Sequence, residues 1–201
     1  MGTVAAPPDD SVHPQDRTAW RGWLQRYHAD SPGVWLVTWR KASGRVPLSY
    51  DDAVEEALCF GWVDSLGRAL DDDRTMLRYT PRKRRSAWSR PNKERVARLE
   101  AAGRMAPAGA AVVAAARADG SWSLLDDVEA GVVPPDLAAA LAERPGARDQ
   151  FDAFPRSARR GILEWVSQAK RPETRARRVL ETATLAERGE RANQWRPRSG
   201  G

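Results

Sequence analysis

Every strand-like run in this 201-residue chain lies before residue 82, and everything beyond it reads as helix. Three segments mass β-branched and aromatic residues: 34–40, 62–69 and 76–81. The last two flank Asp71-Asp72-Asp73 and predict a hairpin, with a loop longer than a tight two-residue turn. Ahead of the strands, Trp20, Trp23, Leu24 and Tyr27 recur at helical spacing after Asp16, a good N-cap. Ser49 with Asp52 opens a second helix, which carries Val54, Ala57 and Leu58 and stops at Gly61. Past Pro81, helix starts are marked by Ser89, Pro107, Pro135, Pro145 and Pro172. Ile162, Trp165, Val166 and Ala169 give one apolar stripe there, and Ala176, Val179, Leu180 and Ala183 another. The fold class is α+β: a small antiparallel sheet with packed helices, then an all-helical C-terminal half from about residue 89. One domain is expected over 16–189, with residues 1–15 and an Arg-rich 190–201 as flexible tails.

Composition narrows the function classes. Hydrophobic residues are 41% and charged residues 30%, which fits neither a membrane-embedded nor a fully disordered chain. No apolar run approaches the roughly 20 residues of a bilayer span. The first eleven residues lack the basic and apolar regions of a signal peptide. The single cysteine, Cys59, has no partner for an internal disulfide, so a cytoplasmic location is expected. With only His13, His28 and Cys59 available, neither a metal site nor a cofactor is expected. No phosphate loop, GxSxG elbow or HExxH is present.

Two stretches could carry chemistry. In EEALCFGWVDS a helix bearing Glu55 and Glu56 runs through Cys59 to Gly61, then into a strand with Trp62 and Asp64. Two residues apart on a strand, Trp62 and Asp64 project to one face. Glu56 and Asp64 are the candidate acid and base, since aromatic surroundings raise a carboxyl pKa toward neutrality. The plain alternative leaves Glu55 and Glu56 solvated, Cys59 and Phe60 in the core and Asp64 capping a turn. The second stretch belongs to a block over 74–98 with ten basic residues and one acid, Glu94. Tyr79 and Trp88 there are interleaved with Arg82, Lys83, Arg84 and Arg85, a pattern suited to phosphate contacts and base stacking. Its alternative is a solvated loop with Trp88 packed inward. A concavity lined by Trp62, Asp64, Glu56 and Trp88 is expected if the hairpin folds the chain back. Trp39, Tyr79, Arg82 and Ser86 complete the candidate ligand contacts, and Gly61 leaves room beside Trp62.

The motifs EALCFGWVDS, RYTPRK and SAWSRPNKERVARLEAAGRMAPAG, followed by AFPRSARRGILEWVSQAKRPETRARRV, resemble the YdeI/OmpD-associated (OmdA-type) bacteriocin-protection family. The resemblance spans 32–189. Its motif positions here are Glu56, Cys59, Gly61, Trp62, Asp64, Ser65, Thr80, Pro81, Arg82, Ser86, Trp88, Ser89 and Asn92. The resemblance implies a cytoplasmic α+β protein tied to antimicrobial tolerance, and it assigns no reaction. A resistance or self-resistance protein that sequesters a small-molecule or peptide antimicrobial is therefore the first expectation. A hydrolase that inactivates such a compound, and a stress-response protein binding nucleic acid through Arg82–Arg85, are the alternatives. The oligomeric state is left open.

Overall fold

The computed structural model describes residues 6–194. They divide at Trp122 into two compact units, each with its own core. The expectation of one domain over 16–189 thus meets two units in the structure.

The first unit holds β1 (Ser11–Val12), α1 (Arg17–Tyr27), β2 (Val34–Trp39), α2 (Tyr50–Cys59), β3 (Trp62–Ala69), β4 (Arg74–Pro81), α3 (Arg90–Ala101) and α4 (Pro107–Ala118). The strands lie in the order β1-β2-β4-β3. The three expected strands pair antiparallel, with Val34 opposite Tyr79, Trp39 opposite Arg74 and Asp64 opposite Tyr79. The sheet is mixed rather than purely antiparallel, because β1 adds in parallel beside β2, Ser11 against Trp35. A two-residue strand has no periodicity to read, and the 1–15 segment looked like a plain tail. Asp71 closes the hairpin loop by accepting the Asp73 and Arg74 amides at 3.1 and 2.7 Å.

Alternation along β2 and β4 puts Val34, Leu36 and Tyr79 in one core with Trp20 and Leu24 of α1 and Val54, Ala57 and Leu58 of α2. Asp16 caps α1 through the Ala19 amide at 2.8 Å, and Ser49 caps α2 through the Asp52 amide at 3.0 Å. Ser89 occupies the N-cap position of α3, but its side chain makes no capping bond there. Gly109 of α4 lies so close to the end of α2 that an added Cβ would sit 2.2 Å from the Cys59 carbonyl oxygen.

The second unit is helical: α5 (Asp126–Ala130), α6 (Pro135–Ala142), α7 (Ala147–Ala153), α8 (Arg156–Ser167) and α9 (Pro172–Glu187). α9 packs on α6, α7 and α8. Leu137, Leu141, Phe151, Ile162 and Val166 are fully buried. The buried stripe of α9 is Val179, Thr182, Ala183 and Ala186, whereas Leu180 is 56% exposed and Ala176 is exposed. Val179 and Ala183 of the expected stripe are thus inward, while Thr182 and Ala186 take the places expected for Ala176 and Leu180. Ala192 is buried beyond α9, so packing continues into the segment read as a tail. Trp195 and the rest of both terminal segments lie outside the described residues. Among the described residues no helix is long and apolar enough to cross a membrane.

Candidate functional site

Glu56 is neither solvated nor free. It lies on the buried side of α2 at 0% exposure and takes three guanidinium groups. Arg17 donates Nε at 2.6 Å and Arg21 donates Nη1 at 2.6 Å; Arg104 binds the same carboxylate. Arg17 also reaches Asp52 and, at 2.9 Å, Glu55. Arg21 donates to the Arg104 carbonyl at 3.0 Å, tying α1 to the turn after α3. Burial works against the charge on Arg17, and the three carboxylates more than offset it, holding its pKa above the ordinary value. Both Glu56 oxygens are thus committed to an ion network that joins α1, α2 and the chain before α4. Burying a carboxylate is tolerable only with such pairing.

The aromatic residues are closed in as well. Trp62 and Trp88 are each 1% exposed and Tyr79 is 0% exposed. Trp62 donates its indole N–H to the His28 carbonyl at 3.2 Å and meets Trp23 edge-on at 5.8 Å. Tyr79 packs against Trp20 with ring centroids 5.5 Å apart. The concavity expected from Trp62, Asp64, Glu56 and Trp88 is therefore not formed. Large rings on the helix-covered face of the sheet gain more from burial than from lining a groove. The room beside Gly61 is taken by Val112 of α4, whose Cγ2 would be 2.8 Å from an added Cβ. Trp39 lies elsewhere. It is five strand residues from Val34, about 17 Å along β2, on the opposite sheet face. It is held between His13, at 4.8 Å, and Arg45, at 4.4 Å.

Asp64, Tyr79, Arg82, Ser86 and Trp88 do gather at one end of the sheet. Asp64 is half-buried on β3 directly across from Tyr79 and accepts the Tyr50 hydroxyl at 3.0 Å. The Tyr79 hydroxyl is buried with no hydrogen-bond partner. Burial first, then the Asp64 carboxylate, pushes its pKa well above the ordinary phenol range. Arg82 follows β4, its backbone amide donating to the Gly61 carbonyl at 2.9 Å. Its guanidinium stacks over Trp88, Cζ 3.7 Å from the ring centroid. One arm, Nη2, donates to the Ala87 carbonyl, while Nε and Nη1 are buried without a partner. Burial lowers the Arg82 pKa to about 10, and the Asp64 charge works the other way. Beside Arg82 is a small cavity of about 40 Å³ that also touches Ser86, Trp88 and Ser121. Ser86 holds the loop by donating its hydroxyl to the Lys83 carbonyl at 2.7 Å, and Arg85 takes a left-handed φ of 58°.

Four of the ten basic residues of the block are ion-paired in the fold. Arg74 pairs with Asp71, Arg78 with Asp10, Arg95 with Asp51 and Arg98 with Glu55. Lys83, Arg84 and Arg85 remain exposed on the loop, but the interleaved Tyr79 and Trp88 offer no face for a base to stack on. Tyr50, Arg17, Arg21 and Arg104 were not foreseen. Tyr50 follows the Ser49 cap, the one local signal that places it at the mouth of α2. Among the described residues there is no cluster of three or more His, Cys, Asp or Glu side chains suited to a metal.

The end of the sheet thus holds a half-buried acceptor, Asp64, across from Tyr79, and buried donors without partners on Tyr79 and Arg82. Such a pair complements a group that both donates and accepts, as a carboxamide does. Comparison with known families divides the chain much as the structure does. A model described as domain of unknown function (DUF8412) matches residues 12–112. A second model, described as bacteriocin-protection, YdeI or OmpD-Associated, matches residues 130–189. The resemblance read over 32–189 is thus shown for its helical C-terminal part, while the strand-bearing part matches the other model. No curated protein and no solved structure gives a significant match. The chain belongs to the DUF8412 family, through residues 12–112, and carries over residues 130–189 a match to the bacteriocin-protection family, YdeI or OmpD-Associated.

Proposed function

We propose that this chain is a cytoplasmic protection protein that binds an antimicrobial compound and holds it unchanged, gripping a carboxamide-type group between Arg82 and Asp64. The observation that carries the reading is Arg82, whose Nε and Nη1 are buried without a partner at the end of β4, while Asp64 lies half-buried on the neighbouring β3. Each unmade bond to such a donor costs about 1–3 kcal/mol. A ligand that accepts from both recovers that cost on binding. The family match over 130–189 supplies the link to bacteriocin protection. A peptide compound offers the required group in every backbone amide.

Binding without turnover is favoured over hydrolysis by the state of Glu56. A carboxylate locked by three arginines is no proton shuttle, and Asp64 then lacks the second acid that paired acid/base hydrolysis requires. The test is mass spectrometry of a protected-against peptide antimicrobial after incubation with the purified protein. Recovery of the intact compound, bound in proportion to the protein, is the expected result. A hydrolysed product that accumulates with time overturns sequestration in favour of an enzyme. Retention of RNA or DNA at low salt that is lost at moderate salt, with no compound bound, favours the nucleic-acid alternative.

A further inference from the structure

The helical second unit holds an arginine-rich cavity of about 230 Å³ between α5, α7 and α8. Its apolar side is the small accessible edges of Val128 and Leu163, over the fully buried Phe151. Its rim carries Arg156, Arg159 and Arg160 against a single acid, Glu129. Arg160 already engages Glu129 at 2.8 Å and Glu164 at 3.1 Å. Arg156 has no ion pair among the described residues. Arg159 stands 3.9 Å from Asp152, which Arg148 holds more closely at 2.6 Å, and the Arg159 Nε is buried with no partner. The three arginines also occupy the first turns of α8, which contain no acid and no side-chain cap. Cations there oppose the helix dipole, so their placement does not stabilise α8.

We infer that this cavity is a binding site for a carboxylate bearing a compact apolar group, the carboxylate on Arg156 and Arg159 and the apolar group against Val128 and Leu163. The cavity is smaller than ordinary ligand pockets of about 300–1,000 Å³, so the occupant is fragment-sized. A phosphate would meet the charge but leave the apolar side uncovered. Two sources supply this chemistry: a free small acid, or the C-terminal residue of a peptide. The site is independent of the Asp64–Arg82 reading and lies wholly within the second unit.

The test is NMR titration of the full chain with phenylacetate and, as the uncharged match, phenylacetamide. Phenylacetate is expected to shift the Gly131 amide and the Arg159 Nε–H saturably, while phenylacetamide does not. Arg159→Gln is expected to weaken phenylacetate binding about tenfold, as loss of a charge-assisted bidentate contact does. Arg159→Lys keeps the charge and retains part of the affinity, which covers the case in which Arg159→Gln misfolds. Lys170→Gln, outside the cavity, leaves it unchanged. N-acetyl-Gly-Phe binding more tightly than phenylacetate, with its C-terminal amide inactive, identifies the peptide source; binding of phenylacetate alone identifies the free acid. Equal binding of acid and amide, absence of saturation, or full affinity in a folded Arg159→Gln protein overturns the proposal.

Discussion

The Arg82 guanidinium lies over the Trp88 ring, its Cζ 3.7 Å from the ring centroid, and two of its three nitrogens are buried there without an acceptor. Stacking of this kind contributes about 0.5–2 kcal/mol. The two unmade hydrogen bonds cost at least as much. Arg82→Met keeps the apolar contact with Trp88 and removes the unsatisfied donors. It is expected to leave thermal stability unchanged or higher, measured by calorimetry. A loss above about 2 kcal/mol would falsify the view that Arg82 is held for binding rather than for stability.

Glu56 has the opposite character. It is the one carboxylate shared by Arg17, Arg21 and Arg104. Glu56→Gln is expected to destabilise the first unit by about 2–3 kcal/mol in urea unfolding. That is below the figure for a fully buried pair, because the arginines are partly in water. A change within ~0.5 kcal/mol would show that the network is a surface ornament.

Gly109 meets the backbone of Cys59 and Leu58 with no space for a side chain. Gly109→Ala forces α4 away from the end of α2 and is expected to cost about 1–3 kcal/mol despite the better helix propensity of alanine. A gain in melting temperature would contradict this close approach. Cys59 lies at the same contact, buried, and burial raises its thiol pKa. It is expected to resist alkylation at neutral pH until the unit unfolds.

His13 reports on the docking of β1. Its Nε2 is buried with no partner. Burial first, then the charges of Arg74 and Arg45, hold its pKa below 6.5, with Asp71 pulling the other way. The unfolded chain therefore binds the His13 proton more readily than the folded one. Stability is expected to fall as pH drops through about 6.5 toward the folded value, and His13→Phe to flatten that slope. An NMR titration of His13 at or above 6.5 would contradict it.

The elements that make the fold were mostly legible, because each rests on local pattern. Val34 to Trp39 and Trp62 to Pro81 carry their strand character in their own side chains, and Asp71 marks the loop. β1 was not legible, since Ser11 and Val12 become a strand only by finding Trp35 and Leu36. The candidate site was half legible. Trp62 and Trp88 were visible as unusual residues, but whether a ring lines a pocket or fills a core depends on α1, α2 and α4 arriving above it. Glu56 shows the same limit from the polar side. Its partners lie 35 to 48 residues away, a pairing no spacing rule reveals. The acidic partners of the charge block were hidden for the same reason, because Arg78 and Arg98 find Asp10 and Glu55 only in three dimensions.

The most direct test of the central claim is the inhibitory concentration of peptide antimicrobials against a susceptible bacterial strain expressing this protein. The account predicts that the parent protects against at least one compound, and that Arg82→Met and Asp64→Asn each lower that protection about tenfold at equal soluble protein levels, as loss of a central buried contact does. Full protection by both variants would contradict it and move the functional site away from the end of the sheet where Arg82 lies over Trp88.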